Sequence, residues 1–243
     1  MDITKSFDRY VIQARIVPVL IVCFPLAALV SVWLPKESIG WKLVSGLMAL
    51  VLLTLVAQLG RNPGKAKEAE LFRKWGGKPS IQALRHRSTT RLAWLSTERV
   101  FARLSAEVGL SCPTKADEET DPVSADEVYE AFVDHMKEAT RGDRILHSEN
   151  ISYGFSRNLW AMKAPGIGIC LIGILGAAVG ALIASDTETM VLAAAVTLID
   201  TALLTWWLFR INEDWVRVAA EAYADRLVKA YLGLKPEKAV VAA

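Results

Sequence analysis

The stretch TLIDTALLTWW sets one carboxylate, Asp200, in the middle of an otherwise uncharged apolar run. At bilayer depth a carboxylate costs several kcal/mol unless it faces protein or water, which makes Asp200 a pore-lining or proton-sensitive candidate. Thr197, Thr201 and Thr205 lie on nearby faces and extend the polar surface. The same position also suits a protonated acid bonded to another helix, with Thr54 or Gln58 as its partner. A second concentration of chemistry is the basic knot LRHRSTTR, holding Arg85, His86, Arg87 and Arg91. On a helix Arg87 and Arg91 share a face, as residues four apart must, and such a face can grip phosphate of a nucleotide or of an anionic lipid headgroup. His147, Glu149 and Arg157 are further members of an anion or ligand site if the fold brings them there. The competing reading is a solvated or headgroup-contacting surface.

Other chemistries have little support. GxSxG, the P-loop, HExxH and a helix-opening GxGxxG are all missing, so no catalytic residue is assigned. Cys112 with His86, His135 and His147 lacks the CxxC or HxxxH spacing of a zinc site, and neither metal nor cofactor is expected. Three cysteines, Cys23, Cys112 and Cys170, read as free thiols in a reducing compartment. Nucleic acid is disfavoured as a partner, since a net charge of +2 comes with no long basic stripe.

The elements that must position these groups are unusually apolar. Hydrophobic residues make up 53% of the 243 and gather in four blocks, Ile16 to Leu34, Trp41 to Leu59, Pro165 to Ala184 and Met190 to Phe209. Each is long enough, at about 1.5 Å per residue, to span a hydrocarbon core of about 30 Å. The fold expected is all-α: a polytopic membrane protein with four transmembrane helices and a helical cytosolic domain inserted between helices 2 and 3. The organisation follows as an N-terminal segment 1–15, a first hairpin 16–60, the cytosolic domain 61–164, a second hairpin 165–210 and a helical extension with tail 211–243. Only Lys36 and Lys42 of the 28 Lys and Arg fall on the short outer connection or its boundary, so the positive-inside bias puts both termini in the cytoplasm.

Within the cytosolic domain KAKEAELFRKW reads as a helix stopped by Gly76-Gly77. Ser80 is expected to cap a long second helix running through the basic knot to Leu110, with Trp94, Phe101, Leu104 and Val108 on its inner face. SCPTKADEETDP reads as a surface loop, and Ser124 with Glu127 as a capping box before a helix with Val128, Phe132 and Met136 inside, ended by Gly142. The fourth membrane helix meets no Gly or Pro until Gly233, so from Met190 to Leu232 it is expected to run about 65 Å unbroken, with Ile211, Trp215, Val218, Ala222 and Leu227 at near-helical spacing. In SENISYGFSRNLWAMKAPGIG, Gly154 is expected to turn the chain into the membrane. Asn150 and Asn158 would tend helix ends, while Arg157 and Lys163 meet phosphates.

The third membrane block carries two stripes of small residues, Gly173, Ala177 and Ala181 beside Gly176, Gly180 and Ala184. Such patterns let backbones approach closely in lipid, and they serve either packing within the bundle or association of subunits into a homo-oligomer. The run ENISYGFSRNLWAMK resembles a YGFxRNLxxxK-like signature of uncharacterised bacterial multi-pass inner-membrane proteins, carried here by Tyr153, Gly154, Phe155, Arg157, Asn158, Leu159 and Lys163. The resemblance implies a small inner-membrane protein of the kind found in accessory or antiphage defence loci, and it implies no catalytic residue. The function expected is an oligomeric membrane effector or sensor, whose cytosolic helices receive a protein partner or a nucleotide or phosphate ligand and whose bundle alters permeability. The alternatives are a membrane-embedded enzyme acting on lipid or a phosphorylated substrate, and a non-catalytic scaffold subunit.

Overall fold

A computed structural model describes residues 9–33, 61–88 and 94–234, and among these the chain forms helices and no strand. In chain order the helices are a π-helical turn Val11–Ile16 leading into α1 (Val17–Trp33), then α2 (Arg61–Trp75), α3 (Pro79–Gln82), α4 (Trp94–Val108) and α5 (Lys115–Thr120). They continue as α6 (Pro122–Ala139), α7 (Arg144–Ala161), α8 (Lys163–Ile183), α9 (Thr187–Phe209) and α10 (Glu213–Gly233). The chain divides into two compact units. The first holds Met1–Ala69 and Gly154–Val216, the second Glu70–Tyr153 and Arg217–Ala243.

Three helices of the first unit are long and apolar enough to cross a membrane: Val11–Trp33, Lys163–Ile183 and Thr187–Phe209. Each buries little of itself against the rest of the chain, and Leu175, Leu182, Leu198 and Phe209 point outward. Helices apolar all round with such outward faces suit a lipid solvent rather than water. The block Trp41 to Leu59 lies outside the described residues, as do Thr54 and Gln58.

α8 and α9 pair through complementary sizes. The inner face of α8 is Gly166, Cys170, Gly173, Ala177 and Gly180, while α9 turns Ala193, Val196, Asp200 and Trp207 inward. A Cβ at Gly166 would stand 2.6 Å from the Trp207 ring, and one at Gly176 would stand 2.7 Å from Leu29 of α1. A Cβ at Gly180 would meet Val32 at 2.8 Å. Gly173, Gly176, Gly180 and Ala177 therefore serve packing within the chain, with Ala181 half-buried beside them and Ala184 at the C-cap of α8.

The continuous fourth helix expected from the sequence is interrupted. α9 ends at Phe209, and Asn212 opens α10 by accepting a hydrogen bond from the Trp215 amide at 2.8 Å, with Glu213 and Asp214 in the first turn. The cap and its acidic followers, NED, were the signal for this break. It re-phases the inner face, so that Val218 is 67% exposed while Val216, Ala220, Ala224, Leu227 and Val228 are buried. At the same place the Lys163 ammonium donates to the carbonyls of Leu208 and Ile211, at 3.3 and 2.6 Å. Those are carbonyls that a helix end leaves without partners. Asp186 caps the other end of α9, accepting from the Thr189 amide at 2.8 Å.

The second unit is built on a core of Leu84, Val100, Leu104, Tyr129, Phe132, Met136, Leu227 and Tyr231. Each such side chain contributes about 1.5–3 kcal/mol by leaving water. α2 stops where expected, at Gly76 and Gly77, whose φ of 80° and 135° suit only glycine. The long helix from Ser80 does not form as expected. Lys78 is the N-cap, Pro79 opens a single turn, and residues 83–88 leave the helix before α4 begins at Trp94. The acidic stretch read as a loop contains α5, started by a capping box between Thr114 and Asp117. α6 is capped by Asp121, not Ser124, because Pro122 takes the first helical position and Asp121 accepts from the Ser124 amide.

Candidate functional site

Two buried polar sites stand out in the first unit. The deeper is Asp200, which is fully buried on α9, two turns before Trp207 on the same inward face. Neither of its carboxyl oxygens has a hydrogen-bond partner among the described residues. Its room is made by Gly173, where a Cβ would collide with Asp200 Oδ2 and come within 3.1 Å of Pro25 Cβ. Pro25 sits inside α1 and removes the amide that would have bonded the Ile21 carbonyl, so α1 is itself under-bonded one turn away. The threonines expected to widen this polar surface do not join it. Thr197, Thr201 and Thr205 donate to the carbonyls of Ala193, Thr197 and Thr201, at 2.9, 2.7 and 2.8 Å, and the last two lie exposed. In an apolar solvent a threonine hydroxyl satisfies itself on its own helix.

The second site is made by the YGFSRN stretch. α7 runs through Gly154 without a turn, and the missing side chain instead admits Tyr10 and Ala14, each 3.0 Å from where a Cβ would be. Asn158 is buried in the last turn of α7 and donates to the Ala14 carbonyl at 2.6 Å. Ala14 belongs to the π-helical turn, whose widened ladder makes such a side-chain donor useful. Arg157, only 9% exposed, bonds Glu68 at 2.7 Å, and Lys67 donates to the Ala161 carbonyl while lying 5.3 Å over the Trp160 ring. Gly64 of α2 completes the knot by leaving space for Asn158. Phe155 meets Trp215 edge-on. Arg157, Asn158 and Lys163 were expected to address phosphates or helix ends; the structure uses Arg157 and Asn158 to cross-link helices, and Lys163 to close α9.

The basic knot lies in the second unit, where it is met by carboxylates. Asp126 of α6 takes a two-pronged contact from Arg85, at 2.7 and 2.6 Å, and a third bond from Arg87 at 2.7 Å. Arg85 also donates to the Gly76 carbonyl at 2.5 Å. Glu118, 1% exposed, accepts from Tyr129 Oη and the His86 amide on one oxygen, and from the Arg87 amide and guanidinium on the other. Burial raises the pKa of Glu118, yet the bonds from Tyr129, His86 and Arg87 outweigh it and hold the group below the ordinary carboxylate range. These bonds also explain the broken helix: the amides of residues 86 and 87 go to Glu118 instead of an i−4 carbonyl. His86 Nε2 stands 3.2 Å from the Pro113 carbonyl. The structure thus brings Arg85, His86 and Arg87 together, but with their donors turned to Asp126 and Glu118. Arg91 lies outside the described residues. His147 lines a different recess with Lys137, Thr140, Asp143, Asn150 and Tyr223, which contains neither Arg87 nor His86, and Glu149 is half-buried on α7.

A third network joins Glu107, Arg103, His135 and Tyr231. Burial opposes ionisation of Glu107, but bonds from Tyr231, Arg103 and His135 prevail and lower its pKa to about 2. Sequence reading passed over this network because Arg103 and Tyr231 lie 128 positions apart, and over Glu118 because its backbone donors lie 31 and 32 positions away. Among the described residues no group of His, Cys, Asp and Glu is arranged to hold a metal ion. No family model matches the chain, and neither the curated proteins nor the solved structures hold a significant match.

Proposed function

We propose that this chain is a membrane effector or sensor that acts by altering the permeability of a bacterial inner membrane, in the setting of antiphage defence that its YGFSRN stretch resembles. In this reading four helices per chain cross the bilayer and both termini lie in the cytoplasm. The helical domain of residues 61–164 receives a protein partner or a phosphate-bearing ligand, and copies assemble so that their bundles act together. The observation that carries it is Asp200: a fully buried carboxyl, without a hydrogen-bond partner among the described residues, on a helix long enough to cross the membrane. Structural packing would be served better by an apolar side chain there, so a group this costly is explained by what it does to ions. Small-residue contacts are spent inside the chain, so association between copies falls to the outward faces of the spanning helices.

The test is flux from proteoliposomes loaded with potassium and a pH-sensitive dye. The purified full chain should raise ion leakage above that of empty vesicles, and Asp200→Asn should lower the rate about tenfold or more. Equal leakage from wild type, Asp200→Asn and empty vesicles would sink the reading.

A further inference from the structure

The inner seam between α8 and α9 carries more than one polar group that packing does not account for. Starting from the end closed by Lys163, Trp207 lies against Gly166, and its indole N–H is buried with no partner among the described residues. Cys170 follows one turn along α8, fully buried and with its thiol free. Next comes Gly173 with the unpartnered Asp200 carboxyl in its gap. Buried polar atoms are almost always bonded, so an unbonded indole N–H and an unbonded carboxyl along one seam, with a thiol between them, is an unusual deficit. The described residues around the carboxyl supply no counter-charge. α1 presents Pro25 and, half-buried, Cys23; α8 presents Cys170; the other acid of α9, Glu188, lies three turns away in its first turn, and the described parts of all three spans bring no Lys, Arg, Asp or Glu to the carboxyl. A metal cation would need several oxygen ligands in place of its water. Among the described residues no group of His, Cys, Asp and Glu is arranged to supply such a shell at the carboxyl, whereas a proton needs none.

We infer that Asp200 is a proton-binding site of the membrane bundle, reached along the α8–α9 seam that Trp207 and Cys170 line. This rests on the permeability reading and deepens it: the species that the bundle handles is the proton. The carboxyl holds the proton as the neutral acid in the packed seam and releases it only when water enters the gap at Gly173. The seam in its packed form is thus closed to ion flow, and the ionised form requires it to open.

The direct test uses dicyclohexylcarbodiimide, an apolar reagent that reacts with a protonated carboxylic acid in a lipid setting. The acid gives its proton to a carbodiimide nitrogen while its oxygen adds to the central carbon, and acyl shift leaves a stable N-acylurea heavier by one reagent molecule. Full-length protein in lipid is labelled from pH 5 to pH 9 and the peptide containing Asp200 is weighed by mass spectrometry. Labelling at Asp200 should be strong at low pH and fall at least fivefold across the series, with no protection by 100 mM sodium and none of the adduct in Asp200→Asn. Because Asp200→Asn could perturb assembly, Gly173→Ala provides a second arm; by crowding the gap it should slow labelling severalfold while leaving Asp200 in place. Adduct that is absent at every pH, or that sodium blocks, overturns the proton site. The two ideas fail separately: leakage with no adduct removes this inference alone, and adduct with no leakage removes the permeability reading while leaving a proton site.

Discussion

Two carboxylates in this chain are equally hidden from solvent and live by opposite rules. Glu118 and Asp200 are 1% and 0% exposed. The first is surrounded by a phenol, two amides and a guanidinium, and is more acidic than an exposed carboxylate despite its burial. The second occupies the gap that Gly173 leaves and has no hydrogen-bond partner among the described residues. Depth alone therefore says nothing about what a buried acid is for; the donors within reach decide it. Glu118 is the keystone of its unit, holding residues 86–87 to α5 and α6, whereas Asp200 makes no hydrogen bond to the described residues.

The largest effect expected of this contrast is at Glu118. Glu118→Ala should cost about 3–5 kcal/mol, since it takes the shared buried acceptor away from the His86 and Arg87 amides and the Tyr129 hydroxyl, while Arg87 keeps Asp126. Denaturation of the purified chain should show the loss, and hydrogen exchange should speed up at the His86 and Arg87 amides. Acid should reproduce part of it. Glu107 sits at about 2 in the folded protein, against about 4.3 when unfolded. Its contribution is thus complete above the unfolded value and disappears as pH falls from about 5 to about 2; Glu118 and Asp143, both lowered, act in the same direction. Stability that held constant from pH 6 to pH 3 would contradict the network. Next in size is Gly173→Ala, which should cost about 1–3 kcal/mol by driving a methyl into the Asp200 carboxyl and Pro25. Combining it with Asp200→Ala should recover much of that loss in a double-mutant cycle, and strict additivity would mean that the contact is not made. The smallest effect belongs to Asp200→Leu. Removing an unbonded buried carboxyl offsets the strain of the larger side chain, so stability should fall by less than about 1 kcal/mol or rise. A cost near that of Glu118→Ala would erase the contrast between the two acids.

What could be read from residue order follows the same divide. The apolar spans α1, α8 and α9 were legible because lipid imposes one demand on every residue of a run, and glycine at 76 and 77 was legible because a positive φ has few other occupants. Asp200 stood out as the lone charge in such a run. The breaks in the second unit were not legible. Glu118 takes the amides of residues 86 and 87 from more than thirty positions away, and no local pattern announces that. Asn212 could have been found, since Asn followed by Glu and Asp is a helix start. The unbroken apolar rhythm on both sides concealed it. Gly154 and Asn158 were seen as unusual but given the wrong task, because close approach to Tyr10 and Ala14 depends on a helix at the far end of the chain.

The Lys163 ammonium has a consequence for biosynthesis. It sits at the start of one spanning helix, yet the carbonyls that it seals, Leu208 and Ile211, are at the finish of the next, 45 and 48 positions later. A ribosome delivers the amine long before its acceptors, so the carbonyls at the finish of α9 find their donor already made. Only when the returning helix lies beside α8 is the loop stitched shut, which ties the end of one helix to the start of the other.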